Sequence, residues 1–258
     1  MPELPEVETF KQYLEKTSLK QVIKTIQIVD SRVLNIDNKE IIYSLKDKRF
    51  ESAFRHGKYL FVYIKPKYLI MHFGMTGDLE YYDNKEDDPL YSKVIFHFVN
   101  GFNLAYISRR IFGRLDLIDS IEEFIQEKKL GPDALKMSFE DFEEAVKRRS
   151  AIIKNALLNQ SFIAGIGNIY SDEILFKSKI NPYTKIDSLN ESKLKELFAN
   201  IKKVLNFGIK KQGDLTTYPN DFLIPHRKKE ERCPICDYEI ERYDISGRRG
   251  FFCPHCQA

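Results

Sequence analysis

The spacing of apolar residues changes from a strand period to a helix period near residue 119, and this change constrains the fold more than any other feature. Before it, short runs rich in β-branched and aromatic residues are separated by Gly, Asn, Asp and Pro, which is typical of antiparallel strands. Several strands at this spacing favour a β-sandwich or a barrel. The runs lie at 21–29, 58–65, 68–73, 93–99, 102–107 and 114–118.

After residue 119, apolar side chains recur at the helical spacing of three and four residues. A further helix is predicted to start at Pro5, where Val7, Phe10 and Leu14 share one face. The sequence therefore predicts an α+β chain with strands first and helices later. The later helical stretches lie at 122–129, 138–160, 168–178 and 192–211.

The four cysteines of the chain stand close to its C-terminus in the pattern C-x2-C-x16-C-x2-C. Two disulfides or a redox pair are the alternatives, but disulfides are rare in the cytoplasm and a redox pair needs no matched second pair. The spacing fits a four-cysteine zinc site, with no open coordination position for catalysis. We therefore expect one structural Zn²⁺ on Cys233, Cys236, Cys253 and Cys256.

Composition adds little about binding partners. The net charge of +3 over 258 residues permits an anionic partner without requiring one. No apolar run approaches the roughly 20 residues that cross a bilayer. The start MPELPEVETF has no apolar export segment, so the cytoplasm is the expected compartment.

Two local patterns can hold phosphate groups. A glycine-bearing turn at 164–167 precedes a helix for which Asn168 is the predicted N-cap, and free backbone N–H groups at such an end bind anions. The segment 237–252, between the cysteine pairs, is predicted to be a hairpin. Its arginines, expected at the hairpin tip, are Arg242, Arg248 and Arg249. Each pattern alone is also common in purely structural elements.

Seven segments, spread in order along the whole chain, match one family. They include PELPEVET, GKYL, HFGMTG and GIGNIYSDE. On these segments the sequence resembles bacterial formamidopyrimidine-DNA glycosylases, in the wider family that includes endonuclease VIII. The segments lie at 2–9, 57–60, 72–77, 109–115, 130–135, 165–173 and in the terminal finger that ends RRGFFCPHCQ.

The resemblance implies a particular architecture and partner. The fold is α+β: an N-terminal two-sheet β-sandwich with an N-terminal helix, a helix–two-turn–helix domain and a four-cysteine zinc finger. DNA lies between the two domains, and such a clamp can work as a monomer on duplexes that contain oxidised bases or abasic sites. The expected bounds are 1–118 for the catalytic sandwich, 119–131 for a linker, 132–222 for the helical domain and 223–258 for the finger.

The resemblance also implies a bifunctional DNA glycosylase/AP lyase of base excision repair. After removal of Met1, the amine of Pro2 is the nucleophile and Glu3 the general acid/base. An α-amine titrates near 8 and a lysine near 10.4, so more of the α-amine is the free base at neutral pH. Without the resemblance, Pro-Glu is an ordinary helix start. The further catalytic and supporting residues implied are Lys58, Arg248, Glu6 and Glu173.

Residues that hold DNA follow from the same resemblance. Met75, Arg110 and Phe112 would fill the gap left by a flipped nucleotide, although strand periodicity alone would place Met75 and Phe112 in the core. Lys154, Asn168 and Arg248 would hold phosphates. The remaining DNA contacts implied are His72 and Tyr170.

The sequence departs from the family pattern in three places. Ile111 replaces a second arginine, Tyr91 replaces a frequent histidine, and the stretch 212–233 is short where the family has a loop that closes over 8-oxoguanine. We therefore expect excision of ring-opened purines and weaker activity on 8-oxoguanine. The alternatives are an endonuclease VIII-like preference for oxidised pyrimidines, a catalytically silent DNA-binding protein, and a zinc-ribbon interaction module on an unrelated β domain.

Overall fold

The computed structural model describes residues 1–83, 85 and 87–257. Contacts divide the chain into two compact units, each with its own hydrophobic core. The first unit holds residues 1–2 and 6–128, and the second holds residues 3–5 and the chain from 129 onward. Strands dominate the first unit and helices the second, so the predicted α+β class is confirmed.

The first unit contains helix α1 from Glu6 onward and, among the described residues, two four-stranded antiparallel sheets. The helices are α1 (Leu4–Thr17), α2 (Asn38–Leu45) and α3 (Ile121–Glu127). The strands are β1 (Ile23–Ile28), β2 (Ser52–His56), β3 (Tyr59–Ile64), β4 (Lys67–His72), β5 (Gly77–Asp83), β6 (Ser92–Phe98), β7 (Phe102–Ser108) and β8 (Arg114–Ile118). One sheet has the order β1-β6-β7-β5 and the other the order β2-β3-β4-β8.

Strand β3 is apolar on both faces because both faces are covered. Leu60 and Val62 point into the core shared with the other sheet. On the opposite face, the ring of Phe61 lies 5.7 Å from that of Phe124 in helix α3. Ser120 caps this helix by accepting the Glu123 N–H at 3.2 Å. The segment predicted as a linker at 119–131 therefore contains a helix that belongs to the first unit, and the division falls after Lys128.

The second unit is built around a helix that is buried on nearly every side. Its elements are α4 (Phe139–Lys147), α5 (Ile153–Leu158), α6 (Asn168–Lys177), α7 (Glu191–Lys210), β9 (Glu241–Ile245) and β10 (Arg248–Phe252). Helix α6 is the buried one, and α5 and α7 pack against it. Gly208 of α7 allows close approach, since a Cβ there would lie 2.7 Å from the Tyr170 ring. No helix in the described part of the chain has the length and apolar content to cross a membrane.

The stretch 138–160, predicted as helical throughout, is broken into α4 and α5. The break follows a competing backbone contact: Ile153 donates its N–H to the Thr184 carbonyl at 2.8 Å, and Ile152 bridges to Lys185. Ser138 caps α4 by accepting the Asp141 N–H at 3.1 Å. The local sequence shows the cap but not the distant partner that ends the helical run.

Candidate active site

The carboxylate of Glu3 closes the N-terminal end of helix α6. Its Oε2 accepts the N–H of Gly167 at 2.6 Å, and its Oε1 accepts that of Ile169 at 2.8 Å. The Tyr170 N–H also points to Oε2, at 3.3 Å. An anion at this end is stabilised by the unpaired amides and the helix dipole. Pro2, half-buried, is bonded directly to this anchored residue.

The prediction that Asn168 caps this helix is wrong. Gly167 occupies the cap position, where a Cβ would lie 2.2 Å from Cδ of Glu3, and Asn168 is the first helical residue. Asn168 instead donates its Nδ2 hydrogen to the Arg249 carbonyl at 2.7 Å. The amides predicted to hold a phosphate are taken by a carboxylate from the other end of the chain, which local sequence could not reveal.

Lys58 lies in the two-residue turn that joins β2 to β3, after Gly57, whose φ is 55°. Arg55 fixes this turn by donating to the Gly57 carbonyl at 3.1 Å. The same guanidinium donates to Glu8 at 2.8 Å, so the turn is tied to α1. Glu6 lies in the first turn of that helix. The first unit thus places Lys58 at a rigid turn linked to the helix that starts beside Pro2.

Met75 and Phe112 are 40% and 51% exposed, so neither is a core residue. The guanidinium of Arg110 lies 5.1 Å from the centre of the Phe112 ring. The two loops that carry these residues are joined, because the Arg110 N–H donates to Thr76 at 3.1 Å. At Gly74, with φ of 56°, a Cβ would lie 2.4 Å from the Phe112 backbone. The structure therefore brings the three predicted wedge residues together on one exposed surface.

His72 ends strand β4, and its ring lies 4.9 Å from that of Tyr59. Burial, together with the positive charges of Lys58 and Arg114, lowers the pKa of His72 to about 4. The imidazole is therefore neutral at neutral pH. Any contact of His72 with DNA would be made by a neutral ring N–H rather than by a positive charge.

Lys154, predicted to hold a phosphate, is completely buried. Its ammonium group donates to Ser171 Oγ at 2.7 Å and to the Asn168 carbonyl at 3.0 Å, and it forms an ion pair with Asp172. Burial lowers the pKa of Lys154, while the Asp172 carboxylate opposes that shift. The three donor positions of an ammonium group are thus used inside the protein. Direct phosphate contact is not compatible with this arrangement.

Tyr170, predicted to contact DNA, is also completely buried. Its hydroxyl lies 3.4 Å from that of Tyr218, and its ring packs against α7. The side chain therefore supports the helical core and does not reach a ligand from the surface.

Glu173 is completely buried and fixes the segment that follows α7. Its Oε2 accepts the Ile224 N–H at 2.8 Å, whereas Oε1 has no hydrogen-bond partner among the described residues. Burial raises the pKa of Glu173 to about 7, against the opposing effect of the Ile224 and Leu223 N–H groups. The predicted supporting carboxylate thus supports chain packing within the second unit.

The four cysteines form a compact cluster that fits zinc. Their sulfur atoms all lie within 4.8 Å of one another, with 3.8 Å between Cys233 and Cys256 and 3.5 Å between Cys236 and Cys253. A tetrahedral ion with Zn–S bonds of about 2.3 Å requires S···S distances of about 3.8 Å. All four are free thiols, so the disulfide alternative is wrong and the predicted zinc site is confirmed.

Strands β9 and β10 form the hairpin predicted between the cysteine pairs. Ser246 and Gly247, with φ of 53° and 70°, make the left-handed turn that suits a two-residue connection. Arg248 and Arg249 follow the turn and are exposed. Arg242 pairs with Phe251 toward the other end of the hairpin, so its predicted place at the tip is wrong.

Comparison with known families gives the decisive match. Residues 1–115 match the formamidopyrimidine-DNA glycosylase N-terminal domain, and residues 130–219 match the formamidopyrimidine-DNA glycosylase H2TH domain. The chain belongs to the formamidopyrimidine-DNA glycosylase family. Together the two matches cover most of the chain and place α6 inside the H2TH domain.

Full-length relatives agree with this family membership. The formamidopyrimidine-DNA glycosylase of Ligilactobacillus salivarius is 36% identical over 273 residues, covering 100% of this chain and 99% of the relative. That of Streptococcus pneumoniae is 34% identical over 271 residues with the same coverage. A Lactococcus lactis enzyme in complex with FAPY-dG-containing DNA has a TM-score of 0.90 at 30% identity, covering 99% of each chain. MutM in complex with carbocyclic 8-oxo-G-containing DNA gives a TM-score of 0.90 at 30% identity, again covering 99% of each chain.

Three residues of the second unit escaped the sequence predictions. Asp172 is buried beside the predicted Glu173, and it bonds to Arg227 and Tyr243. The one available signal was its spacing, since Asp172 lies four residues after Asn168 and so shares a helix face with it.

Proposed function

We propose that this protein is a bifunctional DNA glycosylase/AP lyase of base excision repair that acts through the amine of Pro2. One observation carries the proposal: Glu3, bonded to Pro2, is anchored on three amides at the start of the H2TH helix, in a chain that matches the family along its length. This anchor restricts where the N-terminal nitrogen can lie. Fixed geometry of a nucleophile is a large part of enzymatic rate enhancement.

The reaction starts once Met1 has been removed. The Pro2 nitrogen forms a bond to C1′ of the damaged nucleotide as the glycosidic bond breaks, and the base leaves with a proton. Ring opening of the sugar gives an iminium, which acidifies the C2′–H. Loss of that proton breaks the 3′ C–O bond by β-elimination, and a second proton loss breaks the 5′ C–O bond by δ-elimination. Water then releases the sugar fragment and restores the amine.

Glu3 is the general acid/base of this scheme, acting on the sugar oxygen. Its carboxylate is held by the three amide N–H groups of Gly167, Ile169 and Tyr170, which fixes its position beside Pro2. Lys58 assists β-elimination and binds the DNA backbone. Arg248, exposed at the hairpin tip, assists δ-elimination and holds a phosphate.

The substrate partner is double-stranded DNA that contains oxidised bases or abasic sites. Met75, Arg110 and Phe112 fill the space of the flipped nucleotide, which offsets the few kcal/mol that extrusion costs. His72 and Asn168 are further DNA contacts, whereas Lys154 and Tyr170 act from the interior. One chain supplies every residue with an assigned role, so a monomer suffices. Its place of work is the DNA of the nucleoid, in the cytoplasm.

The nucleophile is tested by borohydride trapping on an abasic duplex, followed by mass mapping of the linked peptide. We expect a covalent adduct on Pro2 of the chain that lacks Met1, and no adduct when an N-terminal extension blocks the amine. Lys58→Ala is the matched control for the other candidate amine, and it should still be trapped. An adduct on Lys58, or full activity with Met1 attached, would overturn the assignment. Absence of any adduct would favour the silent DNA-binding alternative.

We also propose that ring-opened purines are preferred over 8-oxoguanine. The match to the L. salivarius relative extends over 273 positions against 258 residues in this chain, so this chain is the shorter of the two along that match. The stretch after α7 is packed rather than free, since the Phe222 ring stacks at 4.6 Å on Phe207 and Ile224 is bonded to Glu173. Such a segment has little freedom to close over a base. Excision rates on duplexes with a formamidopyrimidine, an oxidised pyrimidine or 8-oxoguanine test this, and a strong 8-oxoguanine preference would refute it.

A further inference from the structure

The hairpin β9–β10 forms a two-stranded sheet, and the outer backbone edge of β10 faces helix α6 rather than a third strand. Ile245 and Arg248 flank the two-residue turn as a pair. In an antiparallel ladder, alternate residues exchange hydrogen bonds with the neighbouring strand and the others point away from it. Arg249 and Phe251 are therefore the residues of β10 whose backbone N–H and C=O groups point away from β9.

Two side chains of α6 bind both outward positions. Asn168 donates its Nδ2 hydrogen to the Arg249 carbonyl at 2.7 Å, and Asp172 accepts the Phe251 N–H at 3.1 Å. Asn168 and Asp172 lie one helical turn apart, on the same face. The spacing of i and i+4 on the helix thus matches the spacing of i and i+2 on the strand. This pairing fixes both the position and the register of β10.

Asp172 is the centre of a larger buried cluster. Besides Phe251, it accepts hydrogen bonds from Arg227 at 2.7 Å and from the Tyr243 hydroxyl of β9, and it pairs with Lys154 of α5. The carboxylate is completely shielded from solvent. It therefore joins α5, α6, both strands of the hairpin and the segment before Cys233 that contains Arg227. A buried charge engaged by this many donors favours one arrangement over alternatives.

We infer that Asp172 is a positioning residue that holds the zinc-finger hairpin, and with it Arg248, in one place relative to helix α6. The Asp172–Phe251 contact lies three residues from Arg248 along a strand, so a shift there moves the arginine directly. The consequence for chemistry rests on the proposed function, in which Arg248 assists δ-elimination. The positioning itself rests only on these contacts.

An amide at position 172 cannot accept all the hydrogen bonds that the Asp172 carboxylate accepts. In Asp172→Asn, one acceptor oxygen becomes a donor, which would face either Arg227 or the group of Lys154 and Tyr243. The variant also leaves two cations close together in the interior without their counter-ion. Tyr243→Phe is a milder change, because it removes one donor and keeps the charges balanced.

The experiment measures hydrogen exchange of the peptide 241–252 in the full-length, zinc-loaded protein. We expect exchange to quicken about tenfold or more in Asp172→Asn, and less in Tyr243→Phe, because charge-assisted bonds to the hairpin are lost. The zinc content should stay at one ion per chain, and exchange in α7 should not change. Asp187→Asn, which alters an exposed acid of the same unit, is the matched control. Unchanged exchange in the hairpin, or an equal increase in α7, would overturn the inference.

A second readout follows the products from an abasic duplex. We expect the ratio of δ- to β-elimination product to fall about tenfold in Asp172→Asn, while borohydride trapping of Pro2 stays near the wild-type level. A normal ratio despite a mobile hairpin would overturn the link to Arg248. If the wild-type protein itself gives no covalent adduct, the proposed function fails, and the exchange data still decide whether Asp172 positions the hairpin.

Discussion

Several residues implied by the family resemblance differ in burial between the two units. In the first unit, Met75 and Phe112 stand on loops with much of their surface exposed. In the second, Lys154, Tyr170 and Glu173 are completely buried and bonded to other parts of the unit. A motif can therefore mark exposed residues, which a substrate can reach, and buried residues that hold others in place. Burial, which no motif reports, separates the two kinds.

Substitution of a zinc ligand in the finger is expected to give the largest difference between the two units. Cys253→Ser removes a buried ligand, and structural zinc sites contribute on the order of 10 kcal/mol to folding. We expect loss of bound zinc, rapid exchange in peptide 241–252 and loss of affinity for an abasic duplex. Exchange in the strands β3 and β4 should be unaffected, because their core is a separate cluster.

His255→Ala is the matched control, since His255 is exposed between two ligands and should not be needed for zinc. Zinc content by metal analysis and exchange by mass spectrometry check the result. A Cys253→Ser protein that keeps both its hairpin and its affinity for DNA would show that the cluster has no structural role.

Substitution of the buried Lys154 is expected to give the second-largest effect, a loss of stability. Removing one partner of a buried ion pair costs about 3–5 kcal/mol, so we expect Lys154→Met to lower the free energy of unfolding by that amount. Lys147→Met, at an exposed pair with Glu143, should cost less than about 0.5 kcal/mol. Urea denaturation measures both. If Lys154→Met had normal stability and its DNA binding depended less on salt, Lys154 would be a phosphate contact after all.

The raised pKa of Glu173 predicts that the stability of the protein depends on pH. Its pKa is about 7 in the folded protein against an ordinary value of 4.5, so between these values the folded state holds more protons than the unfolded chain. Stability therefore falls as pH rises from about 4.5 to 7, by about 3 kcal/mol in total. Glu173→Gln should lack this loss, and its stability relative to wild type should rise between pH 5 and pH 8. Glu196→Gln, at an exposed position, is the control, and a difference that does not vary with pH would contradict the burial effect.

The exposed residues of the first unit give the smallest change in stability. Met75→Ala and Phe112→Ala should each alter the free energy of unfolding by less than about 0.5 kcal/mol. Excision from duplex DNA should nevertheless slow about tenfold or more, since extrusion loses its compensating contacts. Excision from a single strand should change little, and Leu90→Ala, at another exposed apolar residue, should leave both rates unchanged. Equal slowing on both substrates would argue against a wedge.

Much of the fold could be predicted from the sequence because its signals are local. Apolar periodicity identified six of the strands in the first unit and the long helix α7, and the cysteine spacing identified the zinc site. The helix at 122–129 was predicted from its periodicity but assigned to a linker, because the packing of α3 on Tyr59 and Phe61 depends on residues about 60 positions earlier in the chain. The break between α4 and α5 was missed for the same reason.

The site was predicted less completely, and its misses share a cause. The amides at the start of α6 were expected to hold phosphate, yet they are occupied by Glu3. Asn168 was expected to cap the helix, yet it bonds to Arg249. Each error concerns a hydrogen-bond partner that lies far away in sequence. The identity of a donor can be read locally, but its acceptor depends on the folded chain.

The bond between Glu3 and Gly167 spans 164 positions, and this separation has a consequence for biosynthesis. A ribosome adds about 5–20 residues per second, so roughly 8 to 30 s pass between the emergence of Glu3 and that of its partner. During that interval the nascent N-terminus has no helix end to dock on. An aminopeptidase can therefore reach Met1 before the Glu3 carboxylate is bound by its amides, which is the order of events that the proposed Pro2 nucleophile requires.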